Sequence, residues 1–352
     1  MRKQYIYLAL FLALFVSCEE YYKPVLDTVP GILVVESQLT NDPAKNFVKL
    51  TMTQDFYSTT EAKKITGAKV ELIQVAGYTV KGIDDGNGYF TFPSAPISGK
   101  SYYLKITNSK DIYQSDPVLM PPIPKIDSLY TIQNIEKSYE TSADGSLRLV
   151  ETPGRTIYID APITSSLKYY RFDLRTIVQW TYVPPNPLAP AWYGWKSRPV
   201  LGMFNIAGPK EFSSSTKVTK HPIHFLAYDY KLYLDSVPPQ YGSGWILILD
   251  QYGTSKNSYD FHEKLNRQFS AEGSLFDPVI TQVYGNIRCS SDPSKAVLGF
   301  FELNSYRQYR YYLNLGSGGD NQVRQRRLGR YPDIPYTDGY LMGKFPAFWE
   351  TN

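Results

Sequence analysis

Acid–base, nucleophilic or metal chemistry in this chain would have to pass through three histidines, His221, His224 and His262, and two cysteines, Cys18 and Cys289. A zinc site needs three or four converging ligands. His221 and His224 are separated only by Pro222 and Ile223, and no cysteine or carboxylate cluster accompanies them. No metal site is therefore expected, although Asp42 and Asp277 in turn sequences could support a structural calcium. Serines for a Ser–His–acid triad are plentiful, but there is no G-x-S-x-G elbow and the histidines are few. The stretch Gly316 to Asp320, GSGGD, lacks the Lys-Ser/Thr that completes a phosphate-cradling loop. The paired carboxylates Asp84-Asp85 belong to the tight-turn sequence DDGNG and need no acid–base role. The sequence thus predicts no catalytic residue and no cofactor.

Binding chemistry is better represented. Trp180, Tyr182, Trp192, Tyr193 and Trp195 cluster around the proline-rich stretch TYVPPNPLAPAWY, which reads as a long exposed loop. Exposed aromatics stack on sugar rings or anchor protein interfaces, so these five are candidate ligand or partner contacts. Arg324, Arg326, Arg327 and Arg330 form a second candidate, a basic contact for lipid phosphates or an acidic partner; a solvated loop is the alternative.

The most specific chemistry lies at the N-terminus. Arg2 and Lys3 precede an apolar run from Ile6 to Val16, too short to span a bilayer as a helix, and small Ser17 then precedes Cys18. Phe15-Val16-Ser17-Cys18 resembles the lipobox of bacterial lipoprotein signals, with Cys18 as the acylated first residue after cleavage. Removing residues 1–17 leaves 335 of the 352 residues and, with Arg2 and Lys3 gone, a formal charge of +2 instead of +4. A near-neutral chain lacks the concentrated basic face that nucleic acid requires. With Cys18 acylated, Cys289 has no partner, so the fold must be held by packing and not by disulfides. Burial of an inert Cys289 is expected.

These residues must be positioned by strands. The 31 tyrosines and 25 prolines, and the scarcity of helical periodicity, point to an all-β or β-dominated protein. Phe47 to Thr53 and Ala68 to Ile73 alternate with period two, and six or seven short strands recur up to Gln114. The expected organisation is a signal peptide at 1–17, a tether at 18–30 and an immunoglobulin- or transthyretin-like β-sandwich at 31–116. A stiff linker at 117–126 follows, because Pro117, Pro121, Pro122 and Pro124 disfavour helix and central strand. A larger β-rich domain fills 127–352. It should contain one amphipathic helix, capped by Ser258, with Phe261, Leu265 and Phe269 as its apolar stripe and Gly273 as its stop.

From that helix onward the sequence resembles a known family. Ser258 to Gln268, Gly273-Ser274-Leu275-Phe276-Asp277-Pro278, Val283 to Ile287 and Ala296 to Phe301 follow in order. Upstream, Cys18-Glu19-Glu20, Leu33 to Ser37, Thr66 to Val70 and Gly88-Tyr89-Phe90 agree as well. Together they resemble the Bacteroidota lipoproteins catalogued as domain of unknown function 4249. The resemblance implies an outer-membrane lipoprotein, often encoded beside a TonB-dependent receptor, with no enzymatic activity and no catalytic residue to carry over. Glu19-Glu20 resemble the surface-export signal of such lipoproteins, and a solvated tether explains them equally well. The function expected is a non-enzymatic binding or accessory module for a TonB-dependent receptor or other outer-membrane barrel, anchored through Cys18 and facing the exterior. A structural subunit of an outer-membrane assembly or secretion complex is the alternative, and a surface-polymer hydrolase a third reading. Within the matched pieces, Gly273 and Gly285 suit turns and Phe276 and Ile287 suit burial.

Overall fold

The computed structural model describes residues 31–54, 58–182, 186, 188–189, 192–209, 216–227, 231–234, 237–270, 283–314, 324–327 and 339–341. The expected signal peptide and tether, Cys18 included, lie outside these residues, as do Gly273, Phe276, Asp277, the GSGGD stretch and Arg330.

The first strands are β1 (Leu33–Leu39), β2 (Phe47–Met52), β3 (Lys69–Gln74), β4 (Thr79–Lys81), β5 (Ile83–Asp84), β6 (Tyr89–Thr91), β7 (Ser101–Asn108), β8 (Asp111–Ser115) and β9 (Val118–Leu119). Then come β10 (Ser128–Thr141), β11 (Leu147–Pro162), β12 (Tyr169–Tyr182), β13 (Trp192–Pro199), β14 (Asn205–Ala207), β15 (Lys217–Ala227), β16 (Lys231–Leu234) and β17 (Val237–Thr254). Helix α1 (Lys256–Phe269) precedes β18 (Ile287–Cys289), β19 (Val297–Leu303), β20 (Ser305–Asn314), β21 (Arg324–Arg327) and β22 (Gly339–Leu341). The protein is β-dominated, with a sandwich-like arrangement of sheets, as its composition predicts.

Period-two patterning builds the first sandwich. In β1, Leu33, Val35 and Leu39 face inward while Glu36 faces solvent, and β2 and β7 repeat the alternation. One sheet runs β19-β1-β2-β6-β5 and the other β18-β8-β7-β3-β4, with β9 paired to β7. Leu50, Phe90, Leu72, Tyr102 and Ile106 fill the space between them.

Two of these strands come from the far end of the chain. β19 runs parallel to β1, from Leu33↔Val297 to Leu39↔Leu303, and β18 pairs with β8. Ile287, Cys289, Phe301 and Leu303 belong to this core, so a boundary that assigns 31–116 to one unit and 127–352 to another does not describe the packing. Cys289 is buried, with Ser291 Oγ 3.4 Å from its sulfur. Two glycines make the crossing possible. A Cβ on Gly299, whose φ is +99°, would collide with the Val35 carbonyl oxygen, and a Cβ on Gly285 with that of Gly299. Gly285 is thus a close-approach glycine rather than the expected turn residue. Beside it the Asn286 side chain accepts from Phe301 N–H at 2.8 Å and donates to Phe301 C=O at 3.1 Å, substituting for a strand neighbour.

The proline-rich segment 117–126 is likewise no free linker. Leu119 and Val118 pair with Ser101 and Tyr102, and Met120 is fully buried in the sandwich core. Pro121 C=O accepts from Ser98 Oγ, and Pro122 C=O from Ser305 Oγ, both at 2.6 Å. Proline removes donors, but its carbonyls remain acceptors, and here they strap the segment to both halves of the structure.

The second assembly lays the sheet β10-β11-β15 over the sheet β21-β20-β17-β12-β13-β22, to which β14 and β16 also pair. Ile157, Ile159, Leu226, Tyr170, Phe172, Leu247 and Leu249 fill the core between them. The inward face of β17 carries Trp245, Leu247 and Leu249; the alternate residues Ile246, Ile248, Asp250 and Tyr252 face the opposite way, where Asp250 meets Lys45 of the first sandwich.

Candidate functional site

That outward face is patterned by strand register. Arg171 on β12, Tyr252 on β17 and Tyr306 on β20 form one row across the sheet. Asp173, Asp250 and Gln308 form the next, and Arg175, Ile248 and Arg310 the third. Alternating charge along one strand therefore becomes rows of charge and hydrogen-bonding groups across three.

The first row is buried and closes on residues from three other elements. Glu302 on β19 lies between two nitrogen-bearing side chains: Oε2 is 3.6 Å from the Arg171 guanidinium and Oε1 is 2.8 Å from Nε2 of His262 on α1. Asn304 Nδ2 donates to Glu302 Oε2 at 2.8 Å, and Arg171 donates to Gln38 Oε1 of β1 at 2.7 Å while stacking 4.4 Å from the Tyr252 ring centroid. Burial alone would push the Glu302 carboxyl up; Arg171, His262 and Asn304 outweigh it and hold the group at about 2. Burial works against the Arg171 charge too, and Glu302 with Asp173 reverses that effect, raising its pKa. His262 Nδ1 sits 2.9 Å from the Ser258 carbonyl oxygen. Both ring nitrogens are thus engaged within the fold, one by the helix backbone and the other by the Glu302 carboxylate.

Helix α1 is shaped to deliver this histidine. Ser255, not Ser258, caps it, accepting from Ser258 N–H at 3.2 Å. Its buried residues are Ser258 and His262. Asn266 continues that stripe, accepting from Phe204 N–H at 2.7 Å and donating to Phe204 C=O at 2.8 Å. The expected apolar stripe is only partly used: Phe261 stacks on Phe300 at 4.5 Å, but Phe269 is 65% exposed. The helix docks through a polar i, i+4, i+8 row because a charged partner awaits it.

The second row floors a cleft of about 690 Å³. Asp250 is saturated by Lys45 (3.1 Å), Tyr306 Oη (2.8 Å) and Gln308 Nε2 (2.9 Å). Tyr306 is pushed up by burial and by that carboxylate. Asp173, the cross-strand partner of Asp250, has only Arg171 among the described residues, at 3.8 Å, and its side chain is 50% exposed. Densely surrounding protein raises the Asp173 pKa, Arg171 opposes this, and Asp250 and Glu302 push it further up; the open half of its surface moderates the shift. Leu201, Met203 and Phe204 form an apolar wall, with Leu201 and Met203 exposed, and the Phe204 ring lies 4.4 Å from that of His262. The cleft therefore presents a charged floor and an apolar wall side by side.

The candidates named from sequence lie elsewhere. Trp180 and Tyr182 on β12 and Trp192, Tyr193 and Trp195 on β13 belong to a paired hairpin, with Trp180↔Gly194, Tyr182↔Trp192 and Gln179↔Trp195, and not to one long loop. They start five residues beyond Arg175, about 17 Å along the strand from the cleft. Arg324, Arg326 and Arg327 form the edge strand β21 rather than a loop, across the sheet from that hairpin. His221 Nε2 bonds Asn205 Oδ1 at 2.7 Å, and burial lowers its pKa to about 4, leaving the ring neutral at pH 7. Burial lowers His224 as well. Asp42 caps the short helix Pro43–Lys45. Among the described residues no group of three or more His, Cys, Asp or Glu converges on a metal position.

Sequence reasoning passed over Arg171, Asp173, Asp250 and Glu302. Charged residues at alternate positions, as in Tyr170-Arg171-Phe172-Asp173-Leu174-Arg175, are also the ordinary pattern of a strand with one solvated face, so local sequence does not mark this face as covered.

The family model described as "Domain of unknown function (DUF4249)" matches residues 19–310. The chain belongs to this family. The match takes in Arg171, Asp173, Asp250, His262 and Glu302, and with them the whole charge cluster and the cleft floor. No curated protein and no solved structure matches the chain.

Proposed function

We propose that this DUF4249 protein is a lipid-anchored lipoprotein of the outer membrane of a Bacteroidota bacterium. It faces the exterior and serves as a non-enzymatic binding and accessory module for a TonB-dependent receptor in nutrient uptake. The anchor reading rests on Phe15-Val16-Ser17-Cys18 and the charged, short apolar segment before it. The binding reading rests chiefly on the cleft, where half-open Asp173 and the apolar wall at Leu201 and Met203 offer a ligand both a polar and an apolar contact. A binding role is also favoured over hydrolysis by histidines whose ring nitrogens are engaged within the fold, His262 by Ser258 C=O and Glu302 and His221 by Asn205. The aromatic hairpin at Trp180–Trp195 is the second contact surface.

Purification from membranes in mild detergent tests the accessory role. Recovery with a barrel partner supports it, and recovery alone overturns it. A thermal-shift screen of glycans and small nutrients tests the cleft: a ligand that raises Tm should lose its effect in Asp173→Asn.

A further inference from the structure

We infer that the hairpin of β10 and β11 is a self-association arm, and that its apolar face is covered by the same face of a second copy of this chain. From Ile135/Pro153 to the turn at 142–146, about 23 Å of two-stranded ribbon extends past the last pairing of β11 with β15, Gly154↔Ala227. Among the described residues no third strand continues beside it. An isolated two-stranded ribbon is marginal in water and needs a packed face.

Register makes that face explicit. Ile135, Tyr139, Leu147 and Leu149 share one side, and they are 53%, 72%, 71% and 45% exposed. It is the same side that, nearer the base, carries Leu129, Ile157 and Ile159 into the core. Contiguous exposed apolar surface of this kind marks an interaction site.

Charge selects the occupant. On the apolar side of the arm, outward from Ile135 and Pro153, the ions are Lys137 and Glu151, paired at 2.7 Å and summing to zero, while Arg155 follows at the base of the same side. The reverse side carries Glu136, Glu140 and Arg148, and the turn adds Asp144. With four acids against two bases and a polar turn at its tip, the arm is unsuited to an anionic lipid surface. A twofold axis through the apolar side would set each Lys137 against the Glu151 of the other copy, between the two apolar strips. The requirements of such an isologous contact are therefore met by one surface. The reverse sides would repel one another. With four apolar side chains from each copy the contact is small, so a reversible dimer is expected.

The test is charge exchange, with the full chain in mild detergent and mass measured by light scattering across the micromolar range. The native chain should dimerise. Lys137→Glu leaves two acids on the face and Glu151→Lys two bases, so each alone should weaken dimerisation about tenfold or more. Mixing the two should restore it as a heterodimer. Both should keep the native melting transition, because the arm lies outside both cores. Tyr139→Glu should give a monomer. A native chain that stays monomeric would overturn the inference. So would single variants that dimerise like the native chain, a mixture that fails to recover, or an arm that binds vesicles or a different protein in place of a second copy.

Discussion

Replacing Glu302 by Gln isolates what the buried cluster contributes. The substitution keeps volume but turns one of two accepting oxygens into a donor and leaves Arg171 without its anion, in a site where Glu302 and Arg171 are both buried. Removing one member of a buried ion pair costs about 3–5 kcal/mol, because an uncompensated charge remains. The acid titration gives a second route to the magnitude. The carboxyl is held at about 2 against an ordinary 4.5. A depressed folded-state pKa stabilises above the unfolded value, and that stability is lost as pH falls from about 4.5 toward 2, about 3 kcal/mol in all. The two figures agree, and they correspond to a Tm lowered by roughly 6–20 °C. Urea unfolding followed by tryptophan fluorescence at pH 7 and pH 3 measures both. Glu302→Gln should lose stability at pH 7 and show a flatter acid limb. The exposed pair Lys49–Glu36 is the control, since Glu36→Gln should cost about 1 kcal/mol or less. A Glu302→Gln protein as stable as that control at pH 7 would refute the account of the cluster as the clamp between β19, β12 and α1.

Three further outcomes follow from other parts of the structure. Gly299→Ala combines a positive φ with a collision at the Val35 carbonyl, so it should abolish the β1–β19 pairing and leave little folded protein, seen as loss of the cooperative melt. His221 is neutral in the folded state down to about pH 4 while the unfolded chain protonates near 6.5, so stability should fall with pH between those values by up to about 1.4 kcal/mol per unit. His221→Gln should flatten that slope in a pH series of melts. Cys18→Ala should move the protein from the membrane fraction to the soluble fraction with altered processing, measured by fractionation and blotting.

Period-two alternation made β2 and β3 legible, because a sheet with one buried face imposes that pattern on the chain itself. The helix was legible through its cap region and its fourfold spacing, but the wrong stripe stood out. Hydrophobicity marked Phe261, Leu265 and Phe269, while α1 actually docks through Ser258, His262 and Asn266. A polar helix face becomes the buried one only when a partner such as Glu302 lies across from it. That partner is 40 residues further along and arrives by way of a strand that joins the other sandwich.

By itself the sequence determined the β-dominated class, the burial of Cys289 and the family. These follow from composition, alternation and ordered motifs, all of which are properties of neighbouring residues. Only the tertiary structure decided that segment 287–303 completes the first sandwich, that the proline-rich segment is a strap, and that Asp173 and Asp250 lie side by side beneath an apolar wall. Each depends on pairing between distant strands, and register sets which charges meet. Local residue pattern fixes the inward and outward faces of a strand, but not the strand that will lie beside it.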